Sequence, residues 1–167
     1  MTAPRLPLDP IDEARRQWRA HGWHDAADGM AAVTSVMRAQ QILLARTEAA
    51  LRPLSLTFAR YEVLMLLLFS RAGALPMKVI GSRLQVHPTS ITNAVDRLET
   101  AGLVAREPHP ADGRAVLVRL TAEGRVSAEE ATAALNAGVF ADPGLPASRV
   151  EPLIAVLRSL RRGAGDF

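Results

Sequence analysis

Between Pro88 and Gly102 the sequence PTSITNAVDRLETAG sets polar groups against an apolar face. Ile91, Val95 and Leu98 fall at i, i+4 and i+7, one side of a helix, and leave Thr89, Ser90, Thr92, Asn93 and Arg97 off it. Hydroxyl, amide and guanidinium groups on one helical surface can meet the base edges and phosphates of a nucleic acid. Asn93 suits a bidentate pair with adenine, and Arg97 can reach guanine or the backbone. The plain alternative for the segment is an ordinary solvated face. His87 stands at the expected N-cap, where it either caps the helix or touches a phosphate or base. Lys78 and Ser82, on the preceding segment, are candidates for phosphate contacts or for solvated surface. Downstream, Pro108 to Arg114 reads as a polar loop rich in turn formers. An arginine at such a tip, here Arg114, suits a narrow minor groove. Asp112 is repelled by phosphate and is expected to pair with an arginine and fix the loop, while His109 can add a backbone contact.

Few elements are needed to position these groups. Pro76 opens a short helix with Val79, Ile80 and Leu84 inward, Gln85-Val86-His87 makes a brief turn, and Gly102 ends the helix that starts at Pro88. Two short helices about a three-residue turn form a helix-turn-helix. Leu103 to Glu107 and Ala115 to Leu120 are predicted strands, the second alternating Val116, Val118 and Leu120 with Ala115, Leu117 and Arg119. Such a hairpin would make the unit a winged helix.

Upstream, Asp9-Pro10 pairs an N-cap with a first-turn proline, and Ile11, Ala14 and Trp18 share a face before His21-Gly22. A longer helix is predicted from about Gly29 to Leu51, with Met30, Val33, Met37, Leu44 and Leu51 near one stripe and Pro53 stopping it. Thr57 can cap the next helix, which buries Tyr61, Leu64, Leu67 and Leu68 and ends at Arg71-Ala72-Gly73. Thr121 caps a helix to about Ala137, and Asp142-Pro143-Gly144 breaks the chain. A last helix carries Val150, Leu153, Ile154, Leu157 and Leu160, with Arg161 and Arg162 at its negative end.

The 167 residues are 49% apolar, enough for a real core, and Leu and Ala dominate over 4% aromatics, which favours helix. The absence of cysteine excludes disulfides, thiolate zinc sites and thiol redox sensing. The four histidines form no ligand pair, so neither a metal nor a cofactor is expected. The longest apolar run, Val63 to Phe69, is far short of the roughly 18 residues a membrane helix needs, and the N-terminus lacks a signal-peptide pattern. A cytoplasmic protein without a membrane partner is expected. No Ser/His/Asp order, glycine-rich phosphate loop or carboxylate cluster emerges, so catalysis is not expected. Net charge is only +3, but residues 54–121 carry eight Lys/Arg against five acids while the flanking thirds are near balance. The basic excess therefore sits where a polyanion would be held.

Four stretches carry a resemblance: Leu56-Thr57…Tyr61-Glu62-Val63-Leu64, Ile91-Thr92…Val95-Asp96-Arg97-Leu98-Glu99…Gly102-Leu103-Val104, Asp112-Gly113-Arg114, and Leu120-Thr121-Ala122-Glu123-Gly124. In order and spacing, over roughly residues 30–160, the chain resembles the MarR (multiple-antibiotic-resistance regulator) family. The most specific part is a D-x-R wing followed six residues later by L-T-x-x-G.

The resemblance implies a mainly α fold with a small β-hairpin wing. Residues 1–53 and 122–167 would be dimerising helices and 54–121 the winged helix-turn-helix. It also implies a triangular homodimer on double-stranded DNA, each recognition helix in a major groove and each wing at a neighbouring minor groove. Such regulators are usually repressors, released by a small, often phenolic or anionic effector. A urate-responsive branch, similar in its extra N-terminal helix, has a tryptophan, an acid and two arginines as ligand groups. Trp18, Glu62 and Arg106 match three of these, while Ala94 stands where that branch has the recognition-helix arginine. For Trp18, packing in a dimer core is the alternative.

Two other classes make distinct predictions. A winged helix that binds protein would show an acidic or apolar recognition face, and an architectural DNA binder would have affinity nearly independent of sequence.

Overall fold

A computed structural model describes residues 6–109 and 112–167; of Asp112, Gly113 and Arg114 it describes the backbone alone. The chain forms two compact units, one ending at Ala45 and a larger one over Arg46–Phe167. Among the described residues no helix is long and apolar enough to cross a membrane.

In the smaller unit α1 (Pro10–Ala20) starts as predicted, with the Asp9 carboxylate accepting the Ile11 N–H at 2.8 Å. The chain turns at Gly22, whose φ of +85° favours glycine. α2 (His24–Leu51) then begins five residues before the predicted Gly29. Trp23 packs edge-on against Trp18 at 5.3 Å, and Asp25 lies in the first turn, where the helix dipole favours an acid. A lone glycine costs a helix only about 1 kcal/mol, so Gly29 marks no boundary. Arg15 and Arg19 of α1 both reach Asp28 of α2, at 2.7 and 2.8 Å.

The larger unit is built around α3 (Phe58–Leu68), whose first turn is capped by the Thr57 hydroxyl. Tyr61, Val63, Leu64 and Leu67 are buried. Val63 lies off the predicted stripe because α3 is packed by α4 (Met77–Leu84), α5 (Pro88–Thr100) and α6 (Ala122–Leu135) as well as by the sheet. With Leu51, Ile80, Ile91, Val95, Leu98, Val118, Ala128 and Leu135 these side chains form one core. Full burial of each large aliphatic contributes about 1.5–3 kcal/mol.

α3 stops at Leu68, earlier than Arg71-Ala72-Gly73; Gly73, at φ +62°, instead turns the chain into a strand. That strand, β1 (Ala74–Pro76), pairs antiparallel with β3 (Asp112–Leu120), which also pairs antiparallel with β2 (Val104–His109), in the order β1-β3-β2. The register sets Leu75 opposite Val118. Pro76, predicted to open a helix, ends this edge strand, where a missing N–H is tolerated, and serves as the N-cap of α4.

The predicted polar loop from Pro108 to Arg114 is mostly ladder. Pairing continues through Pro108–Val116 to His109–Asp112, with an irregular register between Pro108 and His109. β2 is also an edge strand, so its proline is tolerated. Of the alternating residues in β3 Val118 is fully buried, whereas Val116, nearer the hairpin end, is exposed.

α6 starts at Thr121, whose hydroxyl accepts the Gly124 N–H at 2.9 Å and donates to the Gly102 carbonyl at 2.8 Å. It ends at Leu135, and a π turn over Asn136–Phe140 follows. The Arg46 guanidinium donates to the Gly138 and Asp142 carbonyls at 3.2 and 2.6 Å, which satisfies backbone acceptors left by the irregular turn. α7 (Ala147–Gly163) has no buried residue; Leu153, Ile154 and Leu160 are exposed. On α2, Val33, Met37 and Leu44 of the predicted stripe are exposed too, and only Leu51 is fully buried.

Candidate nucleic-acid interface

The turn between α4 and α5 is made by Gln85, held at φ +53°, with its side-chain amide donating to the Asp166 carbonyl at 2.6 Å. His87 is the N-cap of α5, its Nδ1 accepting the Thr89 N–H at 3.3 Å, and the residue stays exposed. Ile91, Val95 and Leu98 hold α5 to the core at 3%, 0% and 1% exposure. Turned away from them, Thr89, Ser90, Thr92, Asn93 and Arg97 are all exposed. Thr92 donates its hydroxyl proton to the Pro88 carbonyl at 3.0 Å, which leaves its oxygen as an acceptor. Lys78 and Ser82 are exposed on α4, Ser82 donating to the Val79 carbonyl at 3.1 Å.

On the wing, His109 ends β2, partly exposed and opposite Asp112. The Arg114 backbone lies in β3, but its side chain and that of Asp112 lie outside the described residues. Across the hairpin Arg119 pairs with Glu107 at 2.8 Å, and this bond holds the Glu107 carboxyl below its ordinary pKa.

The residues assigned to an effector fall in different surroundings. Arg106, on β2, ion-pairs with both Asp96 and Glu99 of α5, and its backbone N–H donates to Glu99 at 3.1 Å. Burial opposes the guanidinium charge, but the two carboxylates outweigh it and hold its pKa above the ordinary value. Asp96 and Glu99 had no assigned role in the sequence; their i, i+3 spacing beside a strand arginine is the signal that could have given them one. Trp18 packs against Trp23 within the smaller unit.

Glu62, on α3, is partly buried, and burial raises its pKa above the ordinary 4.5. A carboxyl raised in the folded state binds more protons folded than unfolded, so its contribution falls as pH rises through the window just above 4.5. Glu62→Gln is therefore expected to raise the melting temperature at pH 7. That gain should vanish near pH 4, where both states carry the proton; an equal gain at both pH values would contradict a buried-charge origin.

A recognition helix set on the surface by a three-residue turn, beside an antiparallel hairpin, defines a winged helix-turn-helix DNA-binding protein. The MarR family's sequence model matches residues 54–115. Over its fold the chain is similar to Sco5413, a MarR family transcriptional regulator from Streptomyces coelicolor. The two are 52% identical with a TM-score of 0.77, over 84% of this chain and 97% of that one. The chain belongs to the MarR family, whose members are transcriptional regulators and not enzymes. It is also similar to Sco3205 of the same organism, solved in complex with DNA, at 25% identity and a TM-score of 0.69 over 80% of this chain and 88% of that one. The HTH-type transcriptional repressor Rv2887 of Mycobacterium tuberculosis is 33% identical over 100 residues, 60% of this chain and 70% of that protein.

Proposed function

We propose that the chain is a repressor that binds a pseudopalindromic operator as a homodimer and is released by a small aromatic or anionic ligand. The observation that carries this reading is the division of charge on α5. Its two carboxylates, Asp96 and Glu99, are both tied to Arg106, while Ser90, Thr92, Asn93 and Arg97 stay uncovered. Such a surface favours a polyanion over the protein partner of an interaction module. Lys78, Ser82, His87, His109 and Arg114 are assigned to phosphate and groove contacts around it. Repression follows the relative Rv2887, and DNA as partner follows Sco3205. A chromosomal target implies a cytoplasmic protein.

Residues 1–53 and 122–167 are assigned to dimerisation and 54–121 to DNA. The support is the exposed apolar side chains of α2 and α7, which a lone chain leaves in water. Two recognition helices about 34–36 Å apart would read successive major grooves. Trp18, Glu62 and Arg106 are assigned to the effector. Urate itself fits poorly, because Ala94 removes a charge-assisted contact worth about 1.5–3 kcal/mol.

The test is affinity for the duplex lying directly upstream of the chain's own gene against a shuffled duplex, across a salt series. Tight binding to the first, with a slope of about 0.9 per phosphate neutralised, is expected. Arg114→Ala should weaken both complexes. Asn93→Ala should mainly weaken the specific one, by about 1–3 kcal/mol. Equal wild-type affinity for both duplexes would mark an architectural DNA binder instead.

A further inference from the structure

An open cleft of about 520 Å³ lies between the start of α3 and the outer face of α5, walled by Thr57 and Arg60 on one side and by Ser90, Asn93 and Arg97 on the other. Ala94 forms part of its lining, and its single methyl leaves the space open. No carboxylate lines the cleft. Among the described residues neither Arg60 nor Arg97 makes an ion pair, and the cleft walls therefore carry two uncompensated positive charges.

Arg60 is also held in place. Its Nε donates to the Thr57 hydroxyl at 3.1 Å, which steers the guanidinium and leaves its terminal N–H groups for another acceptor. The position costs the helix something, because a cation in the first turn opposes the helix dipole. Glu48 takes the Phe58 N–H at 3.0 Å but is no part of the cleft lining and does not pair with Arg60. An anchored cation, a second cation across a gap, and hydroxyl and amide groups on the same walls together form a receptor for a tetrahedral oxyanion.

We propose that Arg60 and Arg97 clamp one backbone phosphate of bound DNA in this cleft. The proposal rests on the DNA-binding reading above and adds α3 to the elements that touch the duplex. The shape favours one occupant: a small effector is ordinarily enclosed over most of its surface, whereas this cleft is open enough to admit a continuous strand. One wall is also the outer face of the recognition helix, so a duplex engaged by that face brings its backbone to the opening. A phosphate contact carries no base information; it fixes how far along and at what tilt α5 enters the groove.

The test uses the full chain with the upstream and shuffled duplexes across a potassium chloride series. Arg60→Ala should bind both duplexes about tenfold more weakly, with an unchanged ratio between them and a salt slope lower by about 0.9 per subunit. Its melting temperature should not fall. Replacing the contacted phosphate by a neutral methylphosphonate should weaken the wild type but leave Arg60→Ala unaffected. A variant with wild-type affinity and slope, or no phosphate position showing that behaviour, overturns the clamp while leaving the regulator reading intact. A variant that binds DNA normally but loses a wild-type melting-point rise in sodium phosphate assigns the cleft to a free anion and also overturns the clamp. Failure of the wild type to bind either duplex removes both readings.

Discussion

Gly124→Ala is expected to destabilise the protein by about 3 kcal/mol, at the upper end of the range for overpacking, and to lower its melting temperature by roughly 6–12 °C. Gly124 lies in the first turn of α6, where an added Cβ would sit 1.9 Å from the Leu103 carbonyl oxygen and 2.9 Å from its carbon. These are backbone atoms, so no rotamer change relieves the overlap. The Leu103 carbonyl also accepts the Thr121 N–H at 3.2 Å, and Thr121 donates to the Gly102 carbonyl. Moving α6 away would therefore break the bonds that fasten its start to the turn between α5 and β2. The glycine of the L-T-x-x-G stretch is thus there for close approach of two backbones. Gly29→Ala is the control: nothing lies within 4 Å of the added carbon, and the substitution should be neutral or slightly stabilising. Thermal melts of the two variants check this, and a Gly124→Ala protein that melts with the wild type would contradict the packing seen at Leu103.

The second large effect concerns assembly. Leu153→Glu should leave the folded chain nearly unchanged, since Leu153 is 41% exposed on a helix with no buried residue and glutamate keeps helix propensity. If α7 pairs between subunits as proposed, two-fold symmetry places the substitution in the interface twice. At about 2 kcal/mol for each central position, the pair weakens association by roughly a thousandfold. Sedimentation should then show monomers at concentrations where the wild type is dimeric, with loss of binding to the two-half-site duplex. A variant that stays dimeric would remove α7 from the interface.

Much of this fold was legible because its signals are local. Asp9, Thr57 and Thr121 each cap the helix that follows them, and the spacing of Ile91, Val95 and Leu98 places the inner face of α5 directly. The missed features are non-local. A three-residue strand containing proline shows no alternation, and β1 exists only because Leu75 meets Val118 across the sheet. The Pro108 to Arg114 stretch reads as a loop by composition, yet pairing extends β2 to His109 and starts β3 at Asp112. At the site, the exposed donors of α5 follow from helical periodicity alone. The ties of Arg106 and the cleft beside Arg60 depend on β2 and α3 being laid against α5, and spacing along the chain does not encode that.

The bridge from Arg106 to Asp96 and Glu99 has a mechanical consequence. It cross-braces the hairpin to the helix, joining β2 to α5 through one side chain. It also sets the charge balance on the outer side of α5. While the guanidinium is in place, it offsets both acids; without it, α5 would carry two unpaired negative charges on its outer side.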